Sequence, residues 1–418
     1  MFKEKITALL KSKQNTNLFI YGLGQGFNLI TPLLVVPYIV SVCGIESYGK
    51  VSIAMAISFF IMVFIDYGSD IIGVKDVAVN RGNNAELEKI FITTFCSKFV
   101  LLTLVLILCS LLFYLVPFFN TEKKLFFLGL PILIGQFLNP TWFLQGLENF
   151  KWITILTIIS KVIYLLGIFV FIHQQQDYIY INLWWGIGTI LANLLAFGYI
   201  LNKYSFSFRK TQKTDIAKLL QENFSMFSSQ IFVSLQMYAP IMIIGLFGNN
   251  LLAGQYKIVD QVIVIFKTYI NLFFNFVYPR ICFLLEKDEQ SGLRFWKIYN
   301  GMNFIFVTVS MVIIYVLAIP IVSFFTKIDL SEISILLRLA VLVPVVLAIS
   351  NPLKQLVLGS NSQRFYIRVT VAMVFLNLLL MMALFPYYKT YAIFMTLIAV
   401  ETATIFIYYF YLKDKFAY

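Results

Sequence analysis

Five polar residues interrupt an apolar stretch at 252–282: Lys257, Asp260, Lys267, Asn271 and Asn275. At about 100° per residue they project within about 80° of one another, on a single helical face. Each charge at membrane depth costs roughly 2.5–3.5 kcal/mol at a helix centre. A helix with such a stripe must turn it toward water, toward partner side chains or toward a polar ligand. Lys257 and Asp260 are three residues apart, a spacing at which they can pair and lower the cost of burying both. Lysines act as compact point charges for phosphate oxygens, and a buried carboxylate can cycle a proton or hold a cation.

The same chemistry recurs along the chain. Lys98, Lys161, Arg338 and Lys354 also fall inside apolar runs, with Asp66, Asp70 and Glu401 as the other acids. Lys161 and Glu401 sit near the middle of their runs. Lys98, Arg338 and Lys354 lie within about two turns of an end, where long side chains can reach the interface. Asp66 and Asp70, one turn apart near the end of the second run, are expected to pair with Lys75 or another nearby base. If all these groups are ionised, the interior carries two excess positive charges, which suits an anionic substrate. Lys257, Lys267, Lys161, Lys98 and Arg338 are therefore the expected anion ligands. Gln25, Asn28 and Asn271 are the expected hydrogen-bonding partners for a polar cargo. Asp260 and Glu401 are the candidate ion-coupling sites; pairing with Lys257 or Lys267 is the alternative role for Asp260.

The elements that position these residues follow from composition. Hydrophobic residues make up 60% of 418 positions and charged ones only 12%, which excludes a soluble globular chain. Twelve apolar runs stand at roughly 17–42, 50–73, 90–114, 124–146, 152–173, 179–201, 223–247, 252–282, 299–325, 333–358, 366–385 and 391–411. Each is long enough to cross a hydrocarbon core of ~30 Å. The ten-residue alternation of a β-barrel is missing, so the expected class is an all-α integral membrane protein. A basic segment at 206–222 divides it into a six-helix lobe at 1–205 and another at 223–418. Both lobes open alike: Asn17, Tyr21, Gln25, Asn28 and Pro32 stripe the first span, and Asn223, Gln230, Ser234 and Tyr238 the seventh. Equivalent helices facing a shared centre are expected of parallel repeats; hydrogen bonding between packed helices is the alternative use of such stripes.

Lys and Arg crowd one set of loops, from Lys3, Lys5, Lys11 and Lys13 through Lys75, Arg81, Lys203, Arg209, Lys210, Lys213 and Lys218 to Lys413 and Lys415. The opposite loops hold only Lys50, Lys123, Lys124, Lys327 and Lys389. The positive-inside rule places both termini in the cytoplasm. The net charge of +12 is thus chiefly a topology signal, and nothing in it points to nucleic acid. No cleavable signal peptide is expected from the Lys-rich start. Cys43, Cys96, Cys109, Cys282 and the single His173 have no metal-ligand or disulfide spacing, so neither a metal nor a cofactor is implied. Gly22 and Gly26 bracket a glycine-rich run inside the first span, where small residues would allow close helix approach. One histidine permits no Ser/His/Asp set, and the short loops leave no room for a catalytic or nucleotide-binding domain. A transporter is favoured over an enzyme.

Residues 17–49 continue with Pro32-Leu33-Leu34, Pro37-Tyr38 and Tyr48-Gly49; Asp66-Tyr67-Gly68, Arg81 and Pro140-Thr141-Trp142-Phe143-Leu144-Gln145-Gly146-Leu147-Glu148 follow. In these motifs the chain resembles the polysaccharide flippase family. This is the O-antigen type often called Wzx, within the multidrug/oligosaccharidyl-lipid/polysaccharide exporter superfamily. The second half is similar more loosely, in Tyr238-Ala239-Pro240, Gly245-Leu246-Phe247 and Tyr256. Where that family shows arginine and Leu-Gly after Pro-Tyr, this chain has Ser41 and Cys43-Gly44, so no role is carried to that position. The resemblance implies a V-shaped bundle opening alternately to each side of a bacterial inner membrane. Its cargo would be undecaprenyl-diphosphate-linked oligosaccharide, moved to the periplasmic leaflet with the lipid tail left among membrane lipids. It also implies work beside a polysaccharide polymerase and chain-length machinery. Membrane potential and H+ or Na+ antiport both remain open as the driving force. A multidrug or cation exporter and a membrane polysaccharide polymerase are the alternatives. The first expects an acidic or apolar cavity, the second a large outward loop.

Overall fold

A computed structural model describes residues 13–206, 213–360 and 362–416. Lys3, Lys5, Lys11, Arg209 and Lys210 lie outside the described residues, as do the side chains of Lys13, Asn17, Tyr21 and Lys213. Among the described residues there is no strand, and twelve helices are long and apolar enough to cross a membrane. They divide into two compact units, Met1–Tyr238 and Ala239–Tyr418, so the boundary falls inside the helix Lys213–Phe247.

Local chemistry sets the helix ends. Asn83, Asn249 and Asp288 each cap a long helix, their side-chain oxygens accepting from the amides of Glu86, Leu252 and Gln290 at 3.2, 2.9 and 3.1 Å. Such caps satisfy amide donors that lack an intrahelical partner. The second span, Ile45–Asp66, stops where Tyr67 and Gly68 both turn left-handed, at φ 47° and 79°. The apolar run in the sequence carries this span to residue 73; the turn ends it seven residues earlier and puts Asp70 beyond the helix, exposed. The ninth apolar run is likewise broken at Leu317, between Glu289–Val316 and Ala318–Phe325.

In the first unit, the sixth span (Ile181–Tyr204) packs on the fourth and fifth, and the first span packs on the fifth. The sixth approaches closely because Gly186 lacks a side chain: a Cβ there would stand 2.6 Å from the Pro131 Cβ. Trp142, Phe143 and Leu144 are buried in a cluster with Phe91 and Phe95. Arg81 donates to the Gly146 carbonyl at 2.6 Å and pairs with Glu148 at 2.9 Å. The close-approach glycine of the first span is Gly24, whose Cβ would meet the Thr154 Oγ1 at 3.2 Å. Gly22 and Gly26, expected in that role, have nothing within 4 Å. In the second unit, the tenth span (Leu330–Gly359) packs on the eighth and twelfth, and the eleventh packs on the twelfth.

Candidate functional site

The polar stripe lies on the eighth span, Asn250–Lys287. Its cap at Asn249 fixes the start. Near that end, buried Gln255 faces Asp329 and Glu332 at 3.4 Å each, tying the helix to the tenth span. Two residues on, Lys257 donates to the Asp260 carboxylate at 2.8 Å, and Lys267 approaches its other oxygen at 3.7 Å. The Asp260 side chain is 14% exposed, whereas the two lysines are 32% and 27% exposed. One carboxylate thus lies beneath two partly open ammonium groups, leaving one positive charge uncompensated. Asn271 and Asn275, farther along, are exposed and have no hydrogen-bond partner among the described residues.

The other intramembrane charges fall into two kinds. Lys98 is closed off: its side chain is 2% exposed and donates to Asp66 at 2.9 Å, with Gln136 donating to the second Asp66 oxygen. The base that pairs with Asp66 is Lys98 rather than Lys75, and Lys98 is buried instead of reaching outward. Burying both charges is tolerable because each meets the other. Lys98, expected among the ligands, is here engaged by Asp66. Lys354 is likewise bound to Glu401 at 3.1 Å, and Ser350 donates to the same carboxylate. Glu401, the other coupling candidate, is thus paired with Lys354.

Lys161 and Arg338 have no carboxylate partner among the described residues. The Lys161 ammonium stands 5.1 Å from the centre of the Trp185 ring, which packs on Phe59 at 5.0 Å. Arg338 lies 5.5 Å over Tyr315, with its Nε buried and unpartnered. Aromatic faces hold cations without neutralising them. Gln25 and Asn28 are half-buried on the first span and lack hydrogen-bond partners among the described residues. On the seventh span the stripe is occupied: Asn223 donates to the Tyr67 carbonyl at 3.3 Å and Gln230 to Asp70 at 2.7 Å. Both fasten the left-handed turn, so at these positions the helix-packing use of the stripe holds. Among the described residues no group of three or more His, Cys, Asp or Glu side chains is placed to hold a metal ion.

Within the second unit, Arg338 and one of the Lys257/Lys267 pair have no carboxylate to themselves among the described residues, and Asn271 lies exposed on the same helix as that pair. In the first unit, Lys161 has no carboxylate partner among the described residues, and the same holds for hydrogen-bond partners of Gln25 and Asn28.

Residues 15–284 match the model of a family described as polysaccharide biosynthesis protein. The chain belongs to that family. This polysaccharide biosynthesis protein is 23% identical over 391 residues to a candidate O-antigen transporter of Escherichia coli (strain K12), covering 92% of this chain and 93% of that one. A namesake from Shigella dysenteriae is 22% identical over 388 residues. Among solved structures, the lipid II flippase MurJ in an inward closed conformation superposes with a TM-score of 0.76 at 15% identity, over 94% of this chain and 87% of that one. An inward-facing multidrug resistance MATE family transporter gives 0.71 at 12% identity, over 97% and 98%. The fold is the one shared by MurJ and the MATE proteins, and the chain is a multi-pass membrane protein of the polysaccharide biosynthesis family.

Proposed function

We propose that the chain is a flippase for undecaprenyl-diphosphate-linked oligosaccharide, the repeat unit of O-antigen or a similar surface polysaccharide. It moves its cargo from the cytoplasmic to the periplasmic leaflet of a bacterial inner membrane by alternating access, with both termini in the cytoplasm. The observation that carries the reading is the pair of partly open lysines, Lys257 and Lys267, sharing the single acid Asp260. A diphosphate entering a region of low dielectric needs uncompensated cations, and this pair retains one. Lys161 and Arg338, each on an aromatic face, are further cations proposed as anion ligands. Gln25, Asn28 and Asn271 supply hydrogen bonds to the sugars. A cationic drug would meet repulsion from the same groups.

An inside-negative potential favours outward movement of an anion by about 2.3 kcal/mol per charge per 100 mV. Asp260 can add ion coupling, because a proton or Na+ arriving there would release Lys257 and Lys267 from it. The test is surface polysaccharide in a null strain complemented with Lys257→Ala or Lys267→Ala. Loss of polymer at normal protein abundance is expected. Wild-type polymer with both variants would overturn the assignment.

A further inference from the structure

The second half of the eighth span has three separate faces. At about 100° per residue, buried Ile270, Val277 and Ile281 fall within about 40° of one another, and exposed Leu272, Phe276 and Phe283 within another arc of about 40°. Lys267, Asn271, Asn275 and Tyr278 share a third arc of about 80°, set about 60° from the exposed apolar one. Each of the four is one turn from the next, so they follow one line along the helix. The exposed apolar face suits acyl chains. The polar one does not: Asn271 and Asn275 are exposed without a hydrogen-bond partner among the described residues, which is costly against hydrocarbon.

This line is open in one direction only. Toward the start of the span, Ala253 on the same arc and Tyr256 beside it are both buried. Toward its end, the arc closes one turn beyond Tyr278, where Cys282 and Leu285 pack at Gly359 of the tenth span. A Cβ on that glycine would stand 3.6 Å from the Cys282 Sγ and 3.2 Å from the Leu285 Cδ1. The open part, from Lys267 to Tyr278, is about 17 Å long at about 1.5 Å per residue. Its far end holds an aromatic surface, the Tyr278 ring stacked on Phe274 with centroids 5.5 Å apart and planes 19° from parallel. Amides offer a donor and an acceptor side by side, as neighbouring sugar hydroxyls require, and the C–H face of a pyranose packs on an aromatic ring.

Resting on the flippase reading above, we propose that this line is the glycan subsite. The sugars leave the diphosphate at Lys257 and Lys267 and run along the eighth span toward its C-terminal end, the one direction in which the face is open. Asn271 and Asn275 bond their hydroxyls, and Tyr278 packs beneath a ring. Asn275 and Tyr278, the members farthest from the lysines, are specificity-determining positions for sugars beyond the first.

The experiment compares two fluorescent cargoes in proteoliposomes: the lipid-linked repeat unit extracted from the host bacterium, and undecaprenyl diphosphate carrying a single sugar. The readout is the ratio of their translocation rates. Asn271→Ala/Asn275→Ala should lower the ratio of repeat unit to single sugar by about tenfold, the factor that two lost hydrogen bonds supply. Tyr278→Leu should lower it several-fold, and Tyr278→Phe, which keeps the ring, should restore it. Leu272→Ala, on the exposed apolar face, should leave it unchanged. A wild-type ratio in both Asn271→Ala/Asn275→Ala and Tyr278→Leu would overturn the subsite while the flippase reading stands. An equal fall in Leu272→Ala would do the same. Failure of the wild-type chain to move either cargo would overturn that reading, and the subsite with it.

Discussion

Replacing Lys98 by methionine removes one half of the most deeply buried ion pair in the first unit. The lysine side chain is 2% exposed and the Asp66 side chain 15%, at 2.9 Å. Breaking such a pair from one side leaves the other charge without compensation, and the loss is about 3–5 kcal/mol. Gln136 still donates to Asp66, which favours the lower half of that range. An unfolding entropy of roughly 2.1 cal/mol/K per residue gives about 0.9 kcal/mol/K for a chain of 418 residues. The melting midpoint of Lys98→Met should therefore fall by about 3–6 °C, measured by thermal scanning of the purified protein in detergent. Asp66→Asn should cost as much or more, because the isolated ammonium is the more enclosed partner. The double variant Lys98→Met/Asp66→Asn should recover most of the loss, since no uncompensated charge remains. A Lys98→Met midpoint within 1 °C of wild type, on the order of the measurement error, would refute the reasoning.

Other consequences are equally direct. Gly186→Val should destabilise by about 1–3 kcal/mol through overpacking against Pro131, whereas Gly22→Ala, facing open space, should leave the melting midpoint unchanged. Glu401→Gln leaves Lys354 without its counter-ion and should lower the melting midpoint by several degrees, with Lys354→Met in the same chain restoring it. Burial raises the Asp76 carboxyl above its ordinary value, Lys75 opposes that, and Glu222 adds to it. The folded state therefore holds this proton to higher pH than the unfolded state does. Its contribution to stability then falls as pH rises from the ordinary carboxylate range through the raised value. The pH slope of the melting midpoint across that window should flatten in Asp76→Asn. For coupling, transport by Asp260→Asn in proteoliposomes should lose its dependence on an imposed H+ or Na+ gradient.

Much of this was legible in the residues, for reasons that differ from element to element. The spans could be read because twenty apolar residues have few other uses, and the capped starts at Asn83 and Asn249 fit the pattern. The Lys257–Asp260 pair could be read because three residues apart on a helix means adjacent in space. Lys98–Asp66 and Lys354–Glu401 lie 32 and 47 residues apart in sequence, and no periodicity reports which helices meet. The ring beneath Lys161 was hidden in the same way, since Trp185 belongs to another span. The end of the second span was missed although its signal is present: Tyr67-Gly68 is a left-handed stop, masked by the apolar residues that follow. The Trp-Phe-Leu-Gln-Gly motif identifies the family, yet its Trp142, Phe143 and Leu144 lie in a core cluster. Motif and site are therefore different parts of this molecule.

The most direct measurement follows a fluorescent undecaprenyl-diphosphate-linked oligosaccharide between leaflets of proteoliposomes. It compares wild type with Lys257→Ala/Lys267→Ala at equal incorporation and equal melting midpoint. Translocation by the wild-type chain and its loss by tenfold or more in the double variant is the expected result, since two cationic contacts to a diphosphate at roughly 1.5–3 kcal/mol each supply at least that factor. Equal rates in the two would contradict a diphosphate site at these lysines, and absence of wild-type translocation would contradict the flippase reading itself.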